Sequence, residues 1–149
     1  SSIRRYLDIA DLELCDSENT TVRKKVRRAL ESEDPIERYW GATVCASWGD
    51  RAVFASLQLS RLIQDEVAYV ASRAVVAMSR LQGKVLNDAM NGVWKRAEGT
   101  PEKLSVLNDM VFLRESFENC HFEFEQSNET KLFPCNEIEW RVKYLSEDF

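Results

Sequence analysis

The sequence contains few residues that interrupt regular secondary structure. Five glycines and three prolines occur among 149 residues, about half the share of average proteins, which disfavours a turn-rich β fold. Gly49, Gly83 and Gly99 each follow an apolar-periodic run, whereas Pro35 and Pro101 each follow a capping residue. Proline at the start and glycine past the end is the asymmetry of helix boundaries. The sequence therefore predicts an all-α fold.

The sequence also lacks long apolar runs, histidines and an excess of positive charge. No segment approaches the roughly 18 apolar residues that a membrane-spanning helix needs, so we predict no membrane partner. His121 is the single histidine, and the net charge is −5, divided into +2 over residues 1–97 and −7 over residues 98–149. An acidic protein gains nothing from counterion release on a phosphate backbone. We therefore predict no nucleic-acid partner, and nothing in the sequence indicates a cofactor.

The length of 149 residues is that of one domain with one core. The first residues, SSIRRYLDIADLELC, lack the apolar segment and small-residue cleavage site of a signal peptide, and they do not begin with methionine. We therefore expect the chain to be a piece of a longer protein.

Apolar residues recur at helical spacing along most of the chain. The first helix is predicted over residues 3–16, with Ile3, Leu7, Ala10 and Leu14 facing the core. The other segments predicted from the same spacing are a helix from residue 20 or 21, helices over 34–49, 51–63, 66–82, 84–97 and 101–116, an irregular loop over 117–135 and a terminal helix over 136–147. An exposed apolar patch is expected on helix 101–116 and the phenylalanines that follow it.

The helix starts at Asp34, Asp65 and Thr100 are separated by about the length of one helix pair. Short links require neighbouring helices to run antiparallel, and repetition of such pairs produces a solenoid. We predict a short HEAT-like α-α superhelix forming a single domain, with repeat units of about 20–49, 50–83 and 84–116. A plain helical bundle is the alternative fold.

Three segments of the chain resemble one known module. Residues 32–50 (SEDPIERYWGATVCASWGD), 65–83 (DEVAYVASRAVVAMSRLQG) and 105–116 (SVLNDMVFLRES) are similar to successive helices in the HEAT-like C-terminal extension of bacterial sulfatases, which belong to the alkaline-phosphatase-like superfamily. Gly41 departs from the resembled string, which more often has alanine there. The resemblance implies that this chain is a C-terminal accessory module, in a periplasmic or exported protein, whose partner is a sulfatase catalytic domain in the same polypeptide.

The chemistry of a sulfatase is missing from the chain itself. That chemistry needs a cysteine or serine in the motif C/S-x-P-x-R, and none of the four cysteines is followed by such residues. We therefore predict that this chain is not an enzyme and has no metal site. A free-standing HEAT-like protein-interaction scaffold is the alternative function, and a small helical DNA glycosylase is a third class that the acidic composition disfavours.

Two sets of residues are candidates for partner contacts. Arg38, Tyr39 and Trp40 form the most specific part of the resemblance; one interpretation buries Trp40 between repeats and pairs Arg38 with Asp34 or an acidic residue of the preceding helix. The other interpretation has Arg38 and Tyr39 dock the catalytic domain. A basic stripe follows residue 22 and is either a solvated face or a contact for a sulfated glycan; its candidate contact residues are Arg23, Lys24 and Arg27.

The cysteines suggest packing or a disulfide rather than catalysis. Cys45 lacks nearby cations in sequence, so we interpret it as a buried structural thiol. Cys120, His121 and Cys135 lack the paired spacing of zinc ligands. A disulfide between Cys120 and Cys135 would close the predicted loop if the protein is exported.

Overall fold

The computed structural model describes residues 2–124 and 135–147, and these ranges contain helices and no strand. The all-α prediction is confirmed. The α-helices are α1 (Ser2–Ala10), α2 (Thr20–Leu30), α3 (Pro35–Trp48), α4 (Ser56–Leu62), α5 (Ala68–Gln82), α6 (Asn87–Arg96), α7 (Thr100–Ser116) and α8 (Asn136–Ser146). Short 3-10 helices over Asp11–Leu14 and Gly49–Ala55 follow α1 and precede α4.

The start of α3 is fixed by local hydrogen bonds. The Asp34 carboxylate accepts the Ile36 N–H at 2.9 Å, and Pro35 occupies the first turn, where its missing donor costs nothing. Ser32 adds two further bonds, since its hydroxyl accepts the Asp34 N–H at 3.1 Å and donates to Glu37 at 3.2 Å. At the other end Gly49 has φ of 63°, a value that glycine adopts without strain.

Helix α5 lies at the centre of the packing, because it contacts α3, α4, α6 and α7. Helix α3 also packs on α1 and α2, and α7 also packs on α6 and α8. The apolar side chains of these helices form one core cluster. Its largest fully buried members are Leu30, Leu59, Met90, Leu107, Met110, Leu113 and Ile138.

Gly41 permits α2 and α3 to approach each other closely. A Cβ atom at this position would lie 3.1 Å from Ala29 Cβ and 3.2 Å from both the backbone N and the Cδ2 of Leu30. These distances are shorter than ordinary van der Waals contacts, and a backbone atom cannot rotate away. The close approach of the α2 backbone therefore explains why residue 41 is glycine, although the resembled module more often has alanine at this position.

The prediction of which face of the first helix packs on the core is wrong. Ile3 is 71% exposed and Leu14 is 83% exposed, and Leu7 is exposed as well. The helix packs instead through Ile9 and, beyond its end, through Leu12, which is buried. The opposite side of α1 thus carries an apolar stripe that the rest of the described chain does not cover.

Residues 117–124 are held against α6 by two asparagines at a spacing of four. The Asn87 amide donates to the Asn119 carbonyl at 2.9 Å and accepts the His121 N–H at 2.8 Å. Asn91 repeats the pattern two residues later, donating to the His121 carbonyl at 3.0 Å and accepting the Glu123 N–H at 2.9 Å. The two amides therefore satisfy the backbone of this segment as a neighbouring strand would. Residues 125–134 of the predicted loop lie outside the described residues.

The patch expected after α7 is not the most exposed apolar surface. Phe117, Phe122 and Phe124 are half-buried and pack against the core, and the Phe124 ring meets Trp94 edge-on with centroids 5.5 Å apart. On α7 itself Phe112 is the exposed large apolar residue. None of the helices described is long and apolar enough to cross a bilayer.

Candidate functional site

Arg38 ties the start of α3 to the link before α5. Its guanidinium donates to both carboxylate oxygens of Asp65, at 2.9 and 3.2 Å, and to the Ser32 and Glu33 carbonyls at 2.9 and 3.0 Å. The Arg38 and Asp65 side chains are only 13% and 9% exposed. The predicted pairing of Arg38 with Asp34 or the preceding helix is therefore wrong, because its partner lies on the following segment. Since these donors are occupied, the Arg38 side chain holds the start of α3 against the link before α5.

Tyr39 and Trp40 belong to a cluster of rings on one side of α3. The Tyr39 ring meets Trp40 and Tyr69 edge-on, with centroids 5.4 and 5.7 Å apart. The guanidinium of Arg73 lies 4.7 Å from the Tyr39 centroid, a favourable cation–π distance. Trp40 is half-buried, so its burial between repeats, which one interpretation predicts, is partial.

Arg73 connects this ring cluster to the buried carboxylate of Asp109 on α7. Asp109 accepts the Ser72 hydroxyl at 2.7 Å and the Arg73 guanidinium at 3.1 and 3.2 Å. Arg73 also donates to the Thr43 hydroxyl at 3.0 Å. Burial raises the pKa of Asp109, and Arg73 and Ser72 oppose that shift. The network joins three successive long helices, α3, α5 and α7.

A groove of about 520 Å³ opens beside the ring cluster; we call it the aromatic groove. Helices α3 and α5 contribute Ile36, Tyr39, Trp40 and Tyr69, and the start of α7 with the residue before its cap contributes Glu98, Pro101, Glu102 and Ser105. Burial raises the pKa of Tyr69, and the carboxylates of Asp34, Glu102 and Asp65 raise it further against the effect of Arg38. Three carboxylates and one guanidinium therefore act on this ring.

The basic stripe of α2 divides into bound and exposed members. Arg23 donates to the Ser17 carbonyl at 2.7 Å, and the guanidiniums of Arg23 and Arg27 lie 4.8 and 5.2 Å from the Phe54 ring centroid. Of these three candidate contact residues, Lys24 is exposed, whereas Arg23 and Arg27 are half-buried beside Phe54.

Cys45 is fully buried, as the packing interpretation predicts. Burial raises the pKa of its thiol to about 12, so the reactive thiolate is absent at neutral pH. Cys120 and Cys135 are both half-buried and are not bonded to each other in this structure. Burial also raises the pKa of Cys120. A disulfide between them stays a prediction.

Three side chains that organise this region are not among the residues predicted from the sequence: Arg73, Asp109 and Tyr69. Asp109 could have been noticed, because an acidic residue inside a helix with apolar residues on two sides calls for a buried partner. The identity of that partner has no local signal, since Arg73 lies 36 residues away. Tyr69 carries no signal of its own.

Within the described part of the chain, no three His, Cys, Asp or Glu side chains lie close enough together to hold a metal ion. No family model matches the sequence, and neither a curated protein nor a solved structure matches it.

Proposed function

We propose that this chain is a HEAT-like helical accessory module, itself non-catalytic, that packs on the catalytic domain of a sulfatase-like hydrolase. The resemblance of residues 32–50, 65–83 and 105–116 to successive helices of such a module supports the proposal. In the structure these segments form α3, α5 and α7, and α5 packs against both of the others.

The ion pairs between successive segments support the repeat interpretation. Arg38 on α3 reaches forward to Asp65 before α5, and Arg73 on α5 reaches forward to Asp109 on α7. In a solenoid each unit is stabilised mainly by its neighbours, so bonds of this kind are expected at each junction. A plain helical bundle does not require an ion pair between each segment and the next one along the chain.

The observation that carries the proposed packing role is the exposed apolar stripe of α1. Ile3, Leu7 and Leu14 lie on the exposed side of the α1 segment, and α1 itself has no fully buried residue. A contiguous exposed apolar patch marks a protein contact, and we infer that Ile3 and Leu7, one turn apart on α1, belong to such a patch. A catalytic domain that packed on this stripe would remove it from water.

The reading frame around the coding sequence of this chain tests the proposal directly. We expect an upstream segment that encodes a C/S-x-P-x-R motif within a hydrolase domain. A longer frame without that motif would refute the sulfatase assignment. A frame close in length to this chain would favour the alternative, a free-standing HEAT-like interaction scaffold.

Two substitutions in the full-length product test the packing surface. Ile3→Asp should lower the melting temperature of the full-length protein, because it places a charge in the proposed interface. Val53→Asp is the matched control, since Val53 is also β-branched and is 62% exposed on the 3-10 helix before α4. Neither substitution should change the melting temperature of the isolated chain. Equal effects of both in the full-length protein would contradict the assigned surface.

A further inference from the structure

The aromatic groove combines rings with carboxylates whose charge is not neutralised. Glu98 and Glu102 form no ion pair with any of the described residues, although the Glu102 carboxylate accepts the Glu98 N–H at 3.0 Å. The guanidiniums near the groove pair with other carboxylates: Arg38 with Asp65, and Arg73 with Asp109. The groove therefore presents carboxylates beside aromatic rings.

We propose that the aromatic groove binds the guanidinium of an arginine side chain presented by a protein partner. The inference deepens the proposed function, on which it rests for the partner being a protein, by naming the group that this surface recognises. Tryptophan and tyrosine rings attract cations through their quadrupoles. The planar guanidinium is weakly hydrated, and it matches ring faces and carboxylates better than a lysine ammonium does.

The chain already uses the same combination twice within its own fold. The guanidinium of Arg141 lies 4.4 Å from the Trp140 ring centroid and 2.9 Å from the Glu137 carboxylate. Arg73 likewise lies 4.7 Å from the Tyr39 ring centroid while it pairs with Asp109. In the aromatic groove the rings and the carboxylates are present and the arginine is not supplied by the described residues.

Charge decides between an arginine and a sugar as the occupant. A sugar ring also stacks on tryptophan and tyrosine, but a neutral ligand leaves the charges of Glu98 and Glu102 uncompensated. Lys103 is the nearest other cation along the chain, because it directly follows Glu102; its ammonium lies 5.3 Å from the Trp94 ring centroid, and it does not line the groove. Arg96 donates to the Asp65 carbonyl at 3.2 Å and does not line the groove either. The uncompensated carboxylates favour the cationic occupant.

Titration of the whole chain, followed by ¹H–¹⁵N NMR, tests the proposal. The probe is N-acetyl-L-arginine methylamide, and the matched neutral probe is N-acetyl-L-citrulline methylamide, which has nearly the same shape. We expect saturable shifts of the Trp40 indole N–H and the Tyr69 amide with arginine, and weaker binding with citrulline. Higher salt concentration should weaken the arginine binding, because exposed charges are screened.

Substitutions separate the contribution of the carboxylates to arginine binding from that of the Trp40 ring. Removing both carboxylates with E98Q/E102Q should weaken arginine binding about fivefold, the loss expected from two exposed charge pairs of roughly 0.5 kcal/mol each. The double variant E115Q/E118Q makes the same change of net charge at exposed residues outside the groove and should leave the affinity unchanged. Trp40→Leu should weaken binding without altering the melting temperature by more than a few degrees.

Three results would overturn the inference: equal binding of arginine and citrulline, no response at Trp40, or saturable shifts with maltose but not with arginine. The last result would indicate a carbohydrate platform. This titration needs no catalytic domain, so its failure is distinct from a reading frame that lacks the sulfatase motif.

Discussion

Gly41→Ala and Gly92→Ala make the same chemical change in two helices with different surroundings. Gly41 in α3 faces α2, where an added Cβ meets Ala29 at 3.1 Å and the Leu30 backbone N at 3.2 Å. Gly92 in α6 is exposed and has no such neighbour within 4 Å. Neither glycine has a positive φ. Each position is therefore compatible with the backbone conformation of alanine, and packing alone separates the two.

The expected magnitudes follow from two opposing effects. Replacing glycine by alanine inside a helix raises the free energy of unfolding by about 1 kcal/mol. Overpacking a close helix contact lowers it by about 1–3 kcal/mol. Gly92→Ala should therefore stabilise the chain by about 1 kcal/mol. The free energy of unfolding of the Gly41→Ala variant should be lower than that of the Gly92→Ala variant by about 1–3 kcal/mol, because only the Cβ added at residue 41 overpacks a helix contact.

Urea denaturation followed by far-ultraviolet circular dichroism measures both variants against the parent chain. At this length a change of 1 kcal/mol corresponds to a shift of roughly 2–4 °C in melting temperature, so thermal unfolding gives an independent check. Unchanged slopes against urea would show that the compactness of the two states is unaffected. If both variants were stabilised equally, the close approach of α2 to α3 would be refuted.

Three further predictions concern charge and thiols. Asp109→Ala should lower the free energy of unfolding by about 3–5 kcal/mol because it leaves Arg73 without its buried partner, and R73M/D109L should recover most of that loss in the same urea assay; a cost below about 1 kcal/mol would contradict the network. The Tyr6 hydroxyl holds the pKa of Asp34 below its ordinary value of 3.8, so stability present above that pH is lost as the pH falls. Asp34→Asn should flatten the acid limb of melting temperature against pH, and an unchanged limb would show that Asp34 does not contribute. Iodoacetamide should modify exposed Cys15 in the native chain and buried Cys45 only after unfolding; mass measurement with and without reductant then reports whether Cys120 and Cys135 are joined.

Features set by neighbouring residues could be predicted from the sequence. The bounds of α3 follow from Asp34, Pro35 and Gly49, whose effects act within one helical turn. The scarcity of glycine and proline predicted the all-α class for the same reason, since helix formation is decided residue by residue along most of the chain.

Features set by distant partners could not be predicted in this way. Periodicity identifies an apolar stripe on α1 but cannot say whether the fold covers it, and the stripe with Ile3 and Leu7 lies in solvent. Arg38 has acidic residues close by in sequence, yet it binds Asp65, because the packing of α3 on α5 brings that carboxylate within reach. The aromatic groove has the same origin, since Tyr39 and Glu102 meet only after the helices assemble.

The central position of α5 has a consequence for the order in which the chain opens. Helix α5 is held by α3 on one side and α7 on the other, and the Arg73–Asp109 pair adds a buried polar bond to the apolar contacts. Its amide protons should therefore exchange with deuterium only when most of the molecule opens. Helix α1 has no fully buried residue, so its amides should exchange much earlier. A partner that covered the α1 stripe would slow that early exchange first, which makes the N-terminal helix a native reporter of complex formation.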